Sequence, residues 1–174
     1  MNKFLLFTIF LTVSAVCMAQ QPPIVYINET SKQIDNADEL IDRAWKLAKK
    51  ALSDRSMAEA KERCREIIKL ADDAEKISSL AEKKADEAEQ AYQKENCMAA
   101  ASEADDAEDY CRHLGYHTHE MLIYARKAIN EQDEAYFRAY LNKVIAYAEE
   151  SYESVKNAKI ELEEATKDAE ACKQ

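Results

Sequence analysis

The sequence predicts an all-α protein: an antiparallel up-down-up-down bundle of long, coiled-coil-like helices. Its 174 residues suit one domain and include only one glycine and two prolines. Abundant Ala, Glu, Lys and Asp, with apolar residues spaced alternately three and four apart, are typical of long helices that pack together. No segment shows the two-residue alternation that is typical of a β-strand.

The first nineteen residues have the features of a secretory signal peptide. Lys3 is basic, and the apolar run over residues 4–16 is too short to cross a bilayer. Small residues occupy the positions that precede a cleavage site after Ala19, so we expect export to a periplasm or to the extracellular space. A lipoprotein acylated at Cys17 is the weaker alternative, because Val16 stands where a small residue is expected.

Residues 20–30 are predicted to form an extended N-terminal arm. Pro22 and Pro23 lack the amide hydrogen that a helix needs, and the IVYI stretch after them looks extended. Residues 31–174 are predicted to form a single helical-bundle domain.

Four seams of apolar and small residues define the predicted helices, and polar breaks at 53–56, 94–96 and 130–133 separate them. Ser56 or Asp54 is expected to cap the second helix, and Asn96 the third. The first two seams are Ile34, Ala37, Ile41, Ala44, Ala48, Ala51, and Met57, Ala60, Cys64, Ile67, Ala71, Ala74, Ser78, Ala81, Ala85, Ala88, Tyr92. The last two are Cys97, Ala100, Ala104, Ala107, Cys111, Leu114, Thr118, Met121, Ala125, Ala128, and Phe137, Leu141, Val144, Ala148, Ser151, Val155, Ala158, Leu162, Ala165, Ala169, Cys172.

The two ends of the predicted bundle differ in their packing. A first helix that begins near Ser31 is too short to reach the far end, so we expect four helices near Ser53 and three at the other end. Nine of the thirteen seam residues at that far end are alanine. Since alanine buries little apolar area, this end is expected to be closely packed but weakly held, or to open for a partner.

The charge of the chain disfavours anionic partners. Without Lys3, the exported chain keeps 23 basic and 34 acidic residues, a net charge of −11. We therefore expect no binding to nucleic acid and little to membranes, since the sequence shows no basic cluster that would offset the negative charge. No cofactor motif is present, and we expect no cofactor.

Four cysteines of the exported chain fall on seam positions. Hairpin geometry places Cys97 and Cys172 about one core layer apart at the far end, which is close enough for a disulfide. Cys64 and Cys111 are separated by about four layers, so we expect them to remain buried thiols, although all four could simply be small core residues.

The segment CRHLGYHTHE contains all three histidines and the only glycine. His113, His117 and Glu120 share one helix face, and two imidazoles with a carboxylate at this spacing could bind zinc. The plainer interpretation is a set of exposed polar side chains. Gly115 is expected to mark a kink or a close approach by the N-terminal arm.

These observations favour an exported, non-enzymatic bundle that acts through protein–protein contact, as a scaffold, adaptor or subunit. A protein partner or a second copy is expected to bind at the alanine-rich end. The alternative is a periplasmic or extracellular metal-binding protein that uses the face of His113, His117 and Glu120. Binding to a lipid surface by opened amphipathic helices is disfavoured by the negative charge.

Overall fold

The computed structural model describes residues 21–173, and this part of the chain forms four α-helices without strands. The helices are α1 (Pro23–Ser53), α2 (Met57–Lys94), α3 (Met98–Asn130) and α4 (Glu134–Ala171). At 1.5 Å per residue, α2 and α4 are each about 57 Å long. The predicted signal peptide lies outside the described residues. None of the helices within the described range is long and apolar enough to span a bilayer.

The helices pack as a bundle around one core. Each helix packs along the next one in the chain, α4 packs on α1, and α1 barely touches α3. At one end, Arg138 Nη1 at the start of α4 donates to the carbonyl of Leu52, 2.5 Å away at the end of α1. Lys61 at the start of α2 donates to the carbonyl of Glu131, just after α3. We call this end the base, and the opposite end, where α2 connects to α3, the tip.

The start of α1 differs from the prediction. The extended arm over residues 20–30 is wrong from Pro23 onward, because residues 23–30 form the first two turns of α1. A proline at the first position of a helix costs no hydrogen bond, since that amide would have no helical partner. The carbonyl of Pro22 accepts from the amide of Val25 at 2.9 Å and so closes the first turn.

This earlier start brings α1 to the tip. Pro23 and Ile24 line a cleft together with Tyr92 of α2 and Ala169 of α4. Ile27 belongs to the buried core. The expectation that only three helices are present at the tip depended on a start near Ser31, and it is not confirmed.

Two of the predicted caps can be compared with the structure. The hydroxyl of Ser56 accepts from the amide of Glu59 at 3.3 Å and caps α2, as predicted. Asn96 does not cap α3, whose N-cap is Cys97. Instead, Asn96 adopts a left-handed conformation with φ of 59°. This conformation ends α2 and lets the amide of Cys97 donate to the carbonyl of Tyr92 at 3.0 Å.

Large side chains fill the core at the base and middle of the bundle, whereas the core at the tip consists mostly of alanines, with Ile27, Tyr92 and Leu162 as its large buried residues. The bulkiest fully buried apolar side chains lie in the base and middle of the bundle: Phe137, Ile34, Ile41, Ile67, Leu114, Met121, Leu141 and Val144. Buried hydroxyl groups bond within their own helices. For example, Ser78 donates to the carbonyl of Ala74 at 2.8 Å, and Thr118 donates to that of Leu114 at 2.9 Å.

Candidate functional site

The tip is built on a narrow seam of alanines. The thirteen seam residues predicted for the far end are Ala81, Ala85, Ala88, Tyr92, Cys97, Ala100, Ala104, Ala107, Ala158, Leu162, Ala165, Ala169 and Cys172. All but Cys172 are buried. Because the side chain is a single methyl group, helices can approach closely there, but each residue removes little apolar surface from water. The buried alanines of this region are Ala81, Ala85, Ala88, Ala91, Ala100, Ala101, Ala104, Ala107, Ala158, Ala165 and Ala169.

A disulfide joins α4 to the start of α3 at the tip. Cys97 and Cys172 are bonded, with Cα atoms 5.8 Å apart, which confirms the predicted pairing. Cys97 is buried and Cys172 is exposed, so the bond ties the C-terminal end of α4 to the core. Without it, the last two turns of α4 would be held mainly by Ala165 and Ala169.

Cys64 and Cys111 are buried free thiols, as expected. Burial raises the pKa of Cys64 to about 11 and that of Cys111 to about 12. Since the thiolate is the nucleophile and the metal ligand, both side chains are held in the unreactive thiol form at neutral pH. They act as small core residues.

Carboxylates converge on two sides of the tip. Glu103 and Asp106 of α3 lie close to Glu161 of α4, and their carboxylate oxygens come within 4.8 Å of one another. Burial and the neighbouring Glu103 raise the pKa of Glu161 to about 7. Like charges so close together destabilise the ionised form, and a cation placed between them would relieve this repulsion. Oxygen ligands of this type suit hard cations.

The second carboxylate group joins α2 to α3. Asp86 and Glu89 of α2 lie beside Glu108 of α3 within the same 4.8 Å limit. Burial raises the pKa of Glu89 and of Glu108, and Arg112 opposes this effect at Glu108 by donating a hydrogen bond to it. The sequence did not reveal either group, because each combines residues from two helices whose alignment had to be known.

The predicted histidine site is only partly assembled. His113 is exposed, and its ring meets the edge of the Tyr110 ring at 6.4 Å between centroids. His117 is half-buried, and its Nδ1 lies 3.2 Å from Oε2 of Glu150, on α4 rather than on its own helix. These two atoms are not aligned for a hydrogen bond, so Nδ1 has no hydrogen-bond partner among the described residues. Burial lowers the pKa of His117, and the charge of Glu150 opposes the change.

The three predicted metal ligands therefore do not form a compact set. Within residues 21–173, the groups of three ligand side chains that come within 4.8 Å of one another are the two carboxylate groups, and neither contains His113, His117 or Glu120. His119, on another face, places Nδ1 3.0 Å from Oε1 of Glu75. Metal binding by the histidine face stays a prediction.

An aromatic strip runs along the groove between α3 and α4 towards the base. Tyr147 lies at its centre, 5.7 Å from the ring of Tyr124 in a stacked arrangement and 6.2 Å from the ring of His117. Tyr124 also contacts Tyr140 at 6.1 Å, and Tyr116 contacts Tyr147 edge-on at 6.5 Å. These rings widen the apolar surface of the base beyond the seam, as a well-held helix pair requires.

A small cleft of about 170 Å³ opens at the tip between α1, α2 and α4. Its walls include Ile24, Tyr92, Glu95 and Glu170. The hydroxyl of Tyr92 is buried and has no hydrogen-bond partner among the described residues. Burial and the charge of Glu95 raise the pKa of this phenol, so it remains protonated. Tyr92 therefore places a buried, unpartnered hydroxyl in the core near a cleft whose walls include two carboxylates.

Charge is segregated along the axis of the bundle, which the linear sequence did not show. The base, residues 43–69 and 122–146, has 13 basic and 7 acidic residues, a net charge of +6. The remaining described residues have 10 basic and 27 acidic residues, a net charge of −17. The fold thus gathers basic residues from all four helices at one end, while the described residues as a whole keep a net charge of −11.

The comparisons with known proteins do not place the chain in a family. No protein-family model matches it, and neither a curated protein nor a solved structure matches it significantly. Its function therefore has to be argued from its own geometry.

Proposed function

We propose that this protein is exported, has no enzymatic activity, and works by binding a protein partner with the tip of an up-down-up-down, coiled-coil-like bundle. The observation that carries the proposal is the construction of the tip: an alanine seam, at the end of the part of the bundle that lies outside the base and has a net charge of −17. The disulfide between Cys97 and Cys172 is compatible with an oxidising compartment, periplasmic or extracellular.

The end of α4, at the tip, lacks the basic last turn that helix stability would favour. The negative end of the helix dipole lies at the C-terminus, where basic side chains are stabilising. Yet the last turn of α4 has no basic residue, and Asp168 and Glu170 lie near its end. At the base, Lys61 and Arg63 lie near the positive N-terminal end of α2. The other helices follow the dipole more closely: Lys50, Lys94 and Lys127 lie in the last turns of α1, α2 and α3, and Glu59 and Glu134 lie in the first turns of α2 and α4. The departure is therefore confined to the end of α4.

A cationic protein surface is the partner that this arrangement favours. It would neutralise the carboxylates around Glu161 and those around Glu108, and it would meet α4 where the core beneath is weakest. Complementary charge also speeds association, an effect that falls with added salt. We therefore expect the partner to bind at the tip with a strong salt dependence.

Site-specific photo-cross-linking tests this proposal with a matched pair of positions. Met98 at the tip and Tyr136 at the base are almost equally exposed, at 63% and 64%. A photoreactive amino acid at position 98 is expected to give a discrete cross-linked adduct in the native host, whereas the same amino acid at position 136 is not. The double change Glu103→Lys and Asp106→Lys should abolish the adduct. The same adduct from both positions, or none from position 98, would contradict the proposal.

Export has its own test. N-terminal sequencing of the protein from the native host is expected to begin at Gln20, and fractionation should place it outside the cytoplasm. An intact N-terminal Met1 on a cytoplasmic protein would exclude export.

Metal binding is the second candidate, and one observation favours it. His117 offers a half-buried imidazole nitrogen without a hydrogen-bond partner among the described residues, and Glu150 lies beside it. Its lowered pKa keeps this imidazole neutral and able to coordinate at neutral pH. We propose His113 and His117, with Glu120 or Glu150 as the carboxylate, as the ligand set. Calorimetry with zinc, copper and nickel is expected to show tighter binding than to His117→Ala, and equal affinities would rule the site out.

A further inference from the structure

The contact between α1 and α4 is the most open seam of the bundle. Three clefts of about 430, 400 and 490 Å³ lie along it and share lining residues, so that they form one continuous groove. On α1 this groove extends from Ile27 to Asp42, and we call the groove together with the outer side of α1 as far as Lys50 the α1–α4 face. It exposes apolar area midway along the bundle, where Tyr152 is partly buried against the Trp45 ring at 6.4 Å and Ile160 is 43% exposed.

The outer side of α1 along this face changes sign near its middle. Asp35 and Glu39 are exposed in the half nearer the tip, whereas Lys46, Lys49 and Lys50 are exposed in the half nearer the base. The change occurs between Asp42 and Arg43.

The charges along α1 are complementary to those of a second copy of α1 that runs in the opposite direction. When two copies of α1 lie antiparallel about a point between residues 42 and 43, residue 35 of one faces residue 50 of the other, and residue 39 faces residue 46. Asp35 then meets Lys50, and Glu39 meets Lys46, with each pair made twice. This is the relation that a two-fold symmetric interface requires.

The same arrangement places whole ends of opposite charge side by side. In an antiparallel pair, the base of one copy, with net charge +6, lies along the part of the other copy outside its base, which has a net charge of −17. Both copies are negative overall, but at physiological salt charges are screened within about 8 Å. Neighbouring side chains across the contact therefore outweigh the repulsion between distant ends.

We propose that the α1–α4 face pairs with a second copy of this chain, in an antiparallel dimer centred between Asp42 and Arg43. This goes beyond the proposed function, because it assigns a different surface and a different partner. The tip cleft and the carboxylate groups remain accessible in such a dimer for the partner proposed above.

The contacts that the charged residues make within one copy do not block this pairing. Lys46 Nζ donates to Oδ2 of Asp42 at 2.6 Å on the same helix, and Lys159 Nζ lies 2.8 Å from Oδ1 of Asp35. Ion pairs between exposed side chains contribute little to stability, so exchanging them for contacts between copies costs little.

The size of the contact predicts a weak dimer. The segment from Asp35 to Lys50 is about 23 Å long, and two helices side by side are about 20 Å wide, so each copy would bury roughly 500 Å². The total of roughly 1,000 Å² lies at the lower limit for specific interfaces. The dimer should therefore form and dissociate with concentration and weaken as salt is added.

Sedimentation velocity with two opposite charge reversals tests the proposal. The wild-type chain, expressed without its first nineteen residues, is expected to dimerise increasingly from about 5 µM to about 1 mM at about 0.15 M salt, and to dissociate at about 0.5 M salt. Glu39→Lys with Asp35→Lys makes all four paired positions, 35, 39, 46 and 50, basic, and Lys46→Glu with Lys50→Glu makes all four acidic. Each variant alone should be at least tenfold weaker in self-association. An equimolar mixture should form a dimer, because every pair is then complementary.

Matched controls separate this contact from a general effect of charge. Lys69→Glu with Lys143→Glu changes the net charge by the same amount as Lys46→Glu with Lys50→Glu, but outside the α1–α4 face, and should leave the dimer unchanged. Circular dichroism should show equal helicity for all variants. A wild-type chain that stays monomeric at about 1 mM, as it would if a foreign helix occupies the groove, would overturn the proposal. So would a dimer that survives both reversals, or a mixture that stays monomeric.

Discussion

Removing the Cys97–Cys172 disulfide should destabilise the tip far more than the base. The two cysteines are 75 residues apart, and the chain-entropy relation for a loop of that length gives roughly 4.5 kcal/mol at 25 °C. Native disulfides typically contribute about 2–5 kcal/mol. For a chain of this size each kcal/mol corresponds to about 2–4 °C, so the melting temperature should fall by about 9–18 °C.

The matched measurement is urea unfolding of Cys97→Ser with Cys172→Ser, beside Cys64→Ser with Cys111→Ser. The first pair removes the cross-link, whereas the second removes two buried thiols and leaves the cross-link in place. Reductant should destabilise the second variant to the same degree as the wild type and should not change the first. This pattern assigns the loss to the bond itself.

Hydrogen exchange shows where the loss occurs. Protection of backbone amides should fall first in the C-terminal turns of α4 around Ala165 and Ala169, and in the first turns of α3, while the turns around Leu141 stay protected. A loss below about 1 kcal/mol, or equal loss of protection at the base and the tip, would refute the reasoning that the alanine seam is weakly held.

Three further predictions test single features of the fold. Gly115→Ala should stabilise the protein by about 0.5–1 kcal/mol in urea unfolding, because the added Cβ would lie 3.8 Å from Cβ of Ser78, an ordinary contact; a destabilised variant would show that the glycine is needed for close packing. Because the pKa of Glu161 is raised in the folded state, this residue contributes stability below its unfolded pKa, and the contribution is lost as pH rises through about 7. Glu161→Gln should therefore flatten the decline in stability between about pH 5 and 8. An unchanged pH profile would contradict the close approach of Glu161 to Glu103 and Asp106. Thiol labelling should count two reactive groups, Cys64 and Cys111, only after denaturation, and rapid labelling of the native protein would show that they are not buried as described.

The helices and the disulfide could be predicted because both follow from spacing. Alternation of three and four fixes which side of a helix is buried, and short connections fix which residues share a level. When the buried side of each helix and the level of each residue are known, the proximity of Cys97 and Cys172 follows, and so does the separation of Cys64 from Cys111. The cap at Ser56 follows from local chemistry alone.

The incorrect predictions, for the start of α1 and for the cap at Asn96, arose where one residue type is compatible with two backbone conformations. Proline stops a helix in its interior but begins one at its first position, and the two prolines before α1 were interpreted in the first sense. The seam itself continued upstream, because Ile27 and Thr30 precede Ile34 at the same spacing and are buried. Similarly, Asn96 can cap a helix or end one, and the choice depends on a backbone angle that its identity does not fix.

The candidate site could be predicted only in part, because it depends on residues from different helices. Glu161 and Glu103 are distant in the chain, and no periodicity within one helix indicates that they meet. His117 was identified, yet its nearest carboxylate is that of Glu150 on α4 rather than that of Glu120. A search confined to one helix face finds ligands at i+3 and i+4 and misses those that a neighbouring helix supplies.

Both packing and charge change along the axis of the bundle, from the base to the tip. At the base, large side chains such as Phe137 and Leu141 are fully buried, and the bidentate pair of Arg63 with Asp54, at 2.7 and 3.2 Å, holds the α1–α2 connection. At the tip, small side chains support a surface whose carboxylates repel one another, and a disulfide supplies what the core there lacks. A sequence under selection for stability alone would place lysines near the end of α4, where the dipole favours them. Lys167 and Lys173 lie on either side of the last turn of α4, so only that turn departs from the pattern of α1, α2 and α3, whose last turns each have a basic residue.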